Sequence, residues 1–230
     1  MAGGPEAASG DLVVIFDCNG VLVDGELLAS AVVAQELTRA GFPLTAETVS
    51  RYFTGRRPAD MFAEVELVTR RRLPDNFAAT LTAAILRRFR AELRATRHVT
   101  HALTWLRGPK CVASSSGLDR IRASLETTDL IRFFEPNLFS ASDVRNGKPA
   151  PDLFRFAAAR MQLDPASCIV IEDSVPGVAA AVAAGMTAIG FVGGNQMPGR
   201  LAHDLVNAGA RTVIADMRVL KATIADIRGW

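Results

Sequence analysis

Seven polar residues that follow or flank apolar runs have side chains suited to chemistry. In chain order they are Asp17 and Asn19, Ser114 and Ser115, Lys148, and the acidic pair Glu172 and Asp173. Three of these groups stand where an apolar run ends, and Lys148 stands in a proline-rich loop before a helical pattern. Reactive groups of open parallel sheets collect just past the carboxyl ends of the strands. We therefore expect these side chains to lie close together.

This set of side chains suits phosphoryl transfer. A carboxylate such as Asp17 can act as a nucleophile and form an aspartyl-phosphate. Magnesium prefers oxygen ligands, and Asp17, Asp173 and a backbone carbonyl of the first loop can supply them. The Ser114 hydroxyl, the Lys148 ammonium and the metal ion can stabilise charge on the transferring phosphoryl oxygens. The sequence therefore predicts a Mg²⁺-dependent phosphoryl-transfer site.

Short β-branched runs alternate with helical patterns over most of the chain. The strand-like runs cover residues 12–16, 110–113, 168–171, 187–191 and 212–214. The helical patterns between them include residues 118–128, 152–161 and 177–184. This alternation predicts an α/β fold with a doubly wound parallel sheet covered on both faces.

A second segment, residues 24–95, contains no strand-like run. Its four helical candidates cover residues 26–40, 45–53, 58–71 and 75–95. Glycine and proline mark the breaks between them. We interpret residues 24–95 as a helical cap inserted into a core made of residues 11–23 and 96–230. Residues 1–10, which are small and polar, are predicted to be a disordered leader.

Composition restricts the partners. The chain has 230 residues, of which 49% are hydrophobic and 22% charged, as in ordinary soluble domains. A net charge of +2 without a basic stripe predicts no nucleic-acid partner. No window approaches the roughly 18 apolar residues of a spanning helix, so no membrane partner is expected. Three cysteines without metal-type pairing favour reduced thiols and a cytoplasmic location, and we expect a monomer or weak dimer.

Four sequence strings occur in a fixed order and are highly specific together: FDCNGVLVDGE, VASSS, GKPAPDLF and VIEDSVPGVAAAVAAGM. They resemble the four motifs of the haloacid dehalogenase (HAD) superfamily, and more closely the subgroup of β-phosphoglucomutase and small sugar-phosphate phosphatases. The resemblance spans Asp11 to about Ala215 and includes a helical cap at the same place. It implies a Rossmann-like core and a magnesium-dependent phosphatase acting on a small phosphorylated metabolite such as a sugar phosphate.

The resemblance also implies roles for individual residues around the metal. Asp17 would be the nucleophile and a metal ligand, and Lys148 would bridge phosphate and nucleophile. Asp173 would ligate the metal, and Glu172 would ligate it directly or through water. Asn19 occupies the place of a second aspartate, whose backbone carbonyl binds the metal and whose carboxyl acts as general acid and base.

Substrate-binding roles follow in the same way. Ser114, with Ser115 beside it, would bind the phosphoryl group. Arg56 and Arg57 fall where the resemblance puts a substrate-specificity loop of the cap, and two guanidinium groups would suit an anionic substrate. Surface ion pairs are an equally good interpretation of these two arginines.

Asn19 departs from the resemblance. An amide can neither donate a proton to the leaving oxygen nor activate water, and losing that catalysis typically costs about 10²–10⁴ in rate. The sequence is therefore interpreted as a catalytically impaired Asp-to-Asn variant. A deliberate substitution and a natural non-catalytic homologue both explain Asn19, and the intact remainder of the site favours the first.

Other functions stay open. A β-phosphoglucomutase-like mutase carries a histidine in the first cap helix, whereas the aligned residue is Ala29 and no histidine occurs between Asp24 and Arg97. This favours hydrolysis over mutase chemistry. A homologue that binds a phosphorylated ligand without turnover is the other alternative. A true haloacid dehalogenase needs no magnesium, which would leave the acidic pair unexplained.

Overall fold

The fold is taken from a computed structural model that describes residues 13–194 and 198–229. Six strands form one parallel sheet in these residues: β1 Val13–Phe16, β2 Lys110–Ser114, β3 Leu138–Ser140, β4 Cys168–Glu172, β5 Thr187–Phe191 and β6 Thr212–Ile214. Their order across the sheet is β3-β2-β1-β4-β5-β6. The direction of winding reverses between β1 and β4, which is where such sheets bind their ligands.

Four of the five α-helices that lie between β1 and β2 in sequence form the predicted cap: α1 Glu26–Arg39, α2 Ala46–Phe53, α3 Pro58–Thr69 and α4 Phe77–Glu92. α1 packs against α2 and α4. Buried side chains such as Leu37 and Phe89 belong to the same apolar cluster as Phe16 of the sheet. The cap therefore shares its core with one face of the sheet.

The remaining helices cover both faces of the sheet: α5 Val99–Trp105, α6 Leu118–Thr127, α7 Asp152–Arg160, α8 Val175–Ala183, α9 Pro198–Asn207 and α10 Leu220–Arg228. Side chains alternate along a strand, so Val14 and Phe16 join the cluster that contains α5, α6 and α10. Val13 and Ile15 join the cluster under α7, α8 and α9. All four β1 residues are buried, as a strand covered on both faces requires.

The two chain crossings between core and cap lie side by side. Val23 pairs antiparallel with Ala95. The Asp24 N–H donates to the Arg94 carbonyl at 2.9 Å, and the Thr96 N–H donates to the Leu22 carbonyl at 2.9 Å. This pairing supports the predicted cap limits of 24 and 95, which remain a prediction.

The predicted sheet and cap are confirmed, with differences at the margins. The sequence prediction omitted β3, α5, α9 and α10, and it began α8 two residues late. The predicted leader at residues 1–10 lies outside the described residues. In the described part of the chain, no helix is both long and apolar enough to cross a membrane.

Candidate active site

The predicted chemical side chains meet at the carboxyl ends of the central strands. Asp17 directly follows β1, Ser114 ends β2, Glu172 ends β4, and Asp173 comes next. Phe16 is paired in register with Ile171, and the Asp17 N–H donates to the Ile171 carbonyl at 3.0 Å. Parallel register therefore brings the acidic residues after β1 and β4 to one edge of the sheet.

Lys148 reaches this edge from the loop before α7. Its buried ammonium donates to Asp17 Oδ1 at 2.6 Å and to the Ala113 carbonyl at 3.3 Å, and it forms a second ion pair with Glu172 Oε1. Burial alone would lower the pKa of Lys148, but Asp17 and Glu172 hold the pKa above its usual value. The ammonium therefore stays charged between two carboxylates.

The Asp17 carboxylate is buried but remains ionised at neutral pH. Burial and the nearby Glu172 together raise the pKa of Asp17 to about 6, against the lowering effect of Lys148. The backbone N–H of Asn19 also hydrogen-bonds to the Asp17 carboxylate. A carboxylate in this environment is oriented by the protein and still available as a nucleophile at pH 7.

Glu172 is fully buried and both of its oxygens are engaged. Oε1 pairs with Lys148, while Oε2 accepts from the Ser174 N–H at 3.1 Å and from the Ser174 hydroxyl at 2.9 Å. A methyl group on Gly177 would lie 2.0 Å from the Glu172 carboxyl carbon, so glycine is required there. Each Glu172 oxygen therefore already accepts a hydrogen bond, which ties this residue to Lys148 and Ser174, and its predicted ligation of the metal, directly or through water, stays a prediction.

Asp173 lies against the first loop. The Gly20 Cα approaches so closely that a methyl group there would be 1.9 Å from Asp173 Oδ2, and Gly20 has a φ of +100°. The pKa of Asp173 is raised well above its usual value by burial and then by the carboxylates of Glu26, Glu172 and Asp17. The loop after β1 and the Asp173 carboxylate are therefore packed together, as a shared metal site requires.

The charge balance of the site fits a divalent cation. Four carboxylates, those of Asp17, Glu26, Glu172 and Asp173, influence one another, and Lys148 pairs with two of them. Within the described residues, no three acidic, histidine or cysteine side chains already form a metal cage. The predicted ligand set needs only two carboxylates and a backbone carbonyl, so the residues present are compatible with Mg²⁺.

The serine residues after β2 have different surroundings. Ser114 is buried, and its hydroxyl accepts from the Ser116 N–H at 3.3 Å. The Ser115 hydroxyl instead donates to the Gly55 carbonyl of the cap at 2.7 Å. Gly55 has a φ of +78°, and a methyl group there would lie 2.4 Å from the Ser174 hydroxyl. The cap loop between α2 and α3 thus rests on the core, and the cap is closed.

Asn19 lines the cavity beneath the cap together with Asp17 and Ser114. Its side-chain Oδ1 is buried and has no hydrogen-bond partner among the residues that the structure describes. This oxygen lies 2.4 Å from the position that a Gly25 methyl group would occupy. The amide side chain therefore points toward the junction of core and cap.

The two cap arginines have different partners and different positions relative to the cavity. The Arg57 guanidinium bonds to both oxygens of Asp60, at 3.0 and 2.9 Å, and to the core carbonyl of Arg145 at 3.1 Å. It is absent from the cavity lining, and its position does not support the predicted contact with substrate. Arg56 does line the cavity, where it is paired with Glu64 at 2.5 Å.

Two charged residues of the cavity were not predicted as site residues. Glu26 opens α1, and burial together with the Asp17 and Glu172 carboxylates raises its pKa to about 8. Arg120 lies in the first turn of α6, which begins directly after the serine-rich loop. A basic residue in the first turn of a helix that begins at the site is the sequence signal that could have identified Arg120. The cavity volume is about 100 Å³.

Comparison with known proteins identifies the family. A family model for haloacid dehalogenase-like hydrolases matches residues 12–185. The chain is 30% identical over 179 residues to the 6-phosphogluconate phosphatase of Escherichia coli K12, covering 77% of this chain and 81% of that enzyme. The chain therefore belongs to the haloacid dehalogenase-like hydrolases, and its resemblance to the sugar-phosphate phosphatase subgroup is confirmed.

Solved structures agree with this assignment. A conserved haloacid dehalogenase-like protein of unknown function from Agrobacterium tumefaciens C58 is 34% identical, with a TM-score of 0.78. The alignment covers 95% of this chain and all of that protein. A HAD family hydrolase from Deinococcus radiodurans R1, solved with bound phosphate and sodium, is 31% identical with a TM-score of 0.71, covering 95% and 96% of the two chains.

Proposed function

We propose that this chain is a Mg²⁺-dependent phosphatase of small phosphorylated metabolites, with Asp17 as nucleophile and Asn19 as the cause of impaired turnover. The observation that carries the proposal is the buried array of Asp17, Lys148 and Glu172 at the reversal point of the sheet. Its nucleophile is ionised at pH 7 and its cation is fixed in place. Such an array suits attack on an electrophilic phosphorus.

The reaction follows from the arrangement of these groups. The Asp17 carboxylate attacks phosphorus, the bond from phosphorus to the ester oxygen breaks, and the ester oxygen leaves as an alcohol after taking a proton. Water then attacks the aspartyl-phosphate, releasing inorganic phosphate and restoring Asp17. Lys148 holds Asp17 Oδ1 throughout and, with the Ser114 hydroxyl, stabilises charge on the phosphoryl oxygens.

Magnesium would be held by the Asp17 and Asp173 carboxylates and the Asn19 backbone carbonyl. When bound, the ion supplies positive charge that neutralises the phosphoryl oxygens. The surplus of buried carboxylates around Asp173 supports this proposal. We assign Glu172 to holding Lys148 because both of its oxygens are already engaged.

The Asn19 side chain is the incomplete part of the machinery. Its unpartnered Oδ1 lies at the core–cap junction, within the cavity that would receive the leaving group. A carboxyl at this position could give a proton to the ester oxygen and later take one from water, whereas an amide does neither. Binding of phosphate does not depend on this group, because Lys148 and Ser114 are unchanged.

Relatives indicate the substrate class. The enzyme of Escherichia coli K12 is a 6-phosphogluconate phosphatase, and the Deinococcus radiodurans hydrolase holds phosphate. We extend both properties to this chain and propose a phosphorylated sugar or sugar acid as substrate. The small cavity closed by the cap is consistent with a compact metabolite.

A screen of phosphorylated metabolites on the Asn19→Asp protein with Mg²⁺ tests the proposal, with release of inorganic phosphate as the readout. The matched control is the Asp17→Asn, Asn19→Asp double variant, which should release none. Conversion of a sugar phosphate into an isomer without phosphate release would favour the mutase alternative. Tight binding of a phosphate ester with no turnover of any ester by Asn19→Asp would favour a non-catalytic binding homologue.

A further inference from the structure

We infer that Arg120 is a specificity-determining residue that binds a second anionic group, a carboxylate or a second phosphate, on the leaving part of the substrate. This inference rests on the proposed function and narrows its substrate class to doubly anionic sugar derivatives. The two arginines that the sequence suggested for this role, Arg56 and Arg57, are already paired with Glu64 and Asp60.

Arg120 is a half-buried cation, and no residue of the described chain is its direct ion-pair partner. Among the described residues, no carboxylate lies within ion-pair distance of its guanidinium, and its interactions with Glu26 and Asp17 are charge attractions without hydrogen bonds. Its burial lowers the pKa of the guanidinium, which still remains charged. A partly desolvated cation without hydrogen-bond partners is stabilised when an anion completes the site.

An aromatic ring holds Arg120 in position. The guanidinium lies over the Phe89 ring at 5.0 Å from its centroid, and Phe89 is a buried residue of cap helix α4. Stacking uses the face of the guanidinium plane and leaves its in-plane N–H donors available. These donors match the paired oxygens of a carboxylate or phosphate.

The position of Arg120 distinguishes it from the residues at the reacting phosphorus. Lys148 bonds directly to Asp17, so it serves the phosphoryl end of the substrate. Arg120 enters the same cavity from the interface of α6 with the cap, where cap residues such as Met61 and Val49 form the wall. The leaving part of the substrate faces that wall, and Arg120 is the cation there that no carboxylate of the described chain pairs with.

Two phosphate esters provide a matched test in the Asn19→Asp protein with Mg²⁺. 6-Phosphogluconate and sorbitol 6-phosphate differ by a carboxylate in place of a hydroxymethyl group. We expect kcat/KM to favour 6-phosphogluconate by about 10-fold or more, the effect of one charge-assisted hydrogen bond. Arg120→Gln should remove that preference, chiefly through KM, and change turnover of sorbitol 6-phosphate by less than about 3-fold. Arg120→Lys should keep part of the preference.

Arg122→Gln is the control, because Arg122 lies on the same helix but is exposed and paired with Glu135. It should leave the preference unchanged. Equal loss on both substrates in Arg120→Gln, or no preference in the parent, overturns the inference while the phosphatase proposal stands. If neither ester is hydrolysed, calorimetric affinities of the unmodified chain and Arg120→Gln for the two esters decide. A selective loss for 6-phosphogluconate supports the role of Arg120, and equal affinities overturn it.

Discussion

The Lys148 ammonium lies 2.6 Å from Oδ1 of Asp17, and both groups are buried. Because Glu172 holds the other side of Lys148, the orientation of Asp17 is fixed before any substrate arrives. Asp17 Oδ1 accepts from the lysine, and Asp17 lines the cavity beneath the cap. The same contact makes the three side chains interdependent for stability.

Replacing Lys148 should therefore affect folding as well as catalysis. Lys148→Met leaves the Asp17 and Glu172 carboxylates buried without a cation, and breaking such a pair typically costs about 3–5 kcal/mol. We expect a loss of this size in the free energy of urea unfolding and no turnover in the Asn19→Asp background. Lys110→Met is the control, since among the described residues the Lys110 ammonium bonds to the Gly108 carbonyl alone, and its loss should cost about 0.5 kcal/mol or less. A loss below about 1 kcal/mol in the free energy of unfolding for Lys148→Met would contradict the inference that Lys148 neutralises both buried carboxylates.

Restoring a carboxyl at residue 19 should restore turnover. We expect Asn19→Asp to raise kcat at least about 10²-fold on its best phosphate ester, because positioned acid–base catalysis contributes about 10²–10⁴ in rate. The affinity for inorganic phosphate, measured by calorimetry, should change far less. Steady-state and burst-phase kinetics on both proteins provide the measurement. Equal turnover by the Asn19→Asp protein and the unmodified chain across a broad ester panel would show that Asn19 does not limit catalysis.

Closure of the cap depends on the absence of a side chain at Gly55. A methyl group there would meet the Ser174 hydroxyl at 2.4 Å, and φ is already +78°. Gly55→Ala should therefore raise KM and lower kcat in the Asn19→Asp background, with the particle more extended in small-angle scattering. Gly117→Ala is a matched control just before α6, because no atom of the described residues lies within 4 Å of its added methyl group. Normal kinetics in Gly55→Ala would show that this contact is dispensable.

Magnesium should stabilise the protein more as pH rises. Burial raises the pKa of Asp17 to about 6, above the unfolded value of about 3.9. Between these values the folded state binds more protons, so this group makes the metal-free protein less stable as pH rises through that window. Mg²⁺ binds the ionised carboxylates and offsets this loss. The increase in Tm on adding Mg²⁺ should be larger at about pH 7.5 than at about pH 5, and Asp173→Asn should abolish most of it at both.

Much of the fold was predictable because its signals are local. Continuous β-branched runs such as the one that forms β1 identify strands buried on both faces, and glycine and proline mark the ends of the cap helices. β3 was missed because three residues, Leu138–Ser140, carry too little pattern, and its strand state depends on pairing with β2.

The site, like the fold, has features that the sequence could predict and features that it could not. The strand-end positions of Asp17, Ser114 and Asp173 could be predicted, because parallel register converts a sequence position into a place in space. The surface ion pair considered for Arg57 is present with Asp60, three residues further on. The contacts of Arg57 with core carbonyls could not be predicted, since those partners lie 84 to 88 residues away. Arg120 was overlooked because its isolation is a property of what surrounds it in three dimensions.

The paired chain crossings have a consequence for how such molecules diversify. Since Val23 and Ala95 are bridged as neighbouring antiparallel strands, the ends of the insertion lie about one strand spacing apart, roughly 5 Å. A tight hairpin turn, or a different set of helices with equally close ends, could join them without displacing a single sheet strand. The fold is therefore modular at this point. Recombination can exchange the helices that form the cap side of the cavity while the nucleophile and its lysine are inherited unchanged.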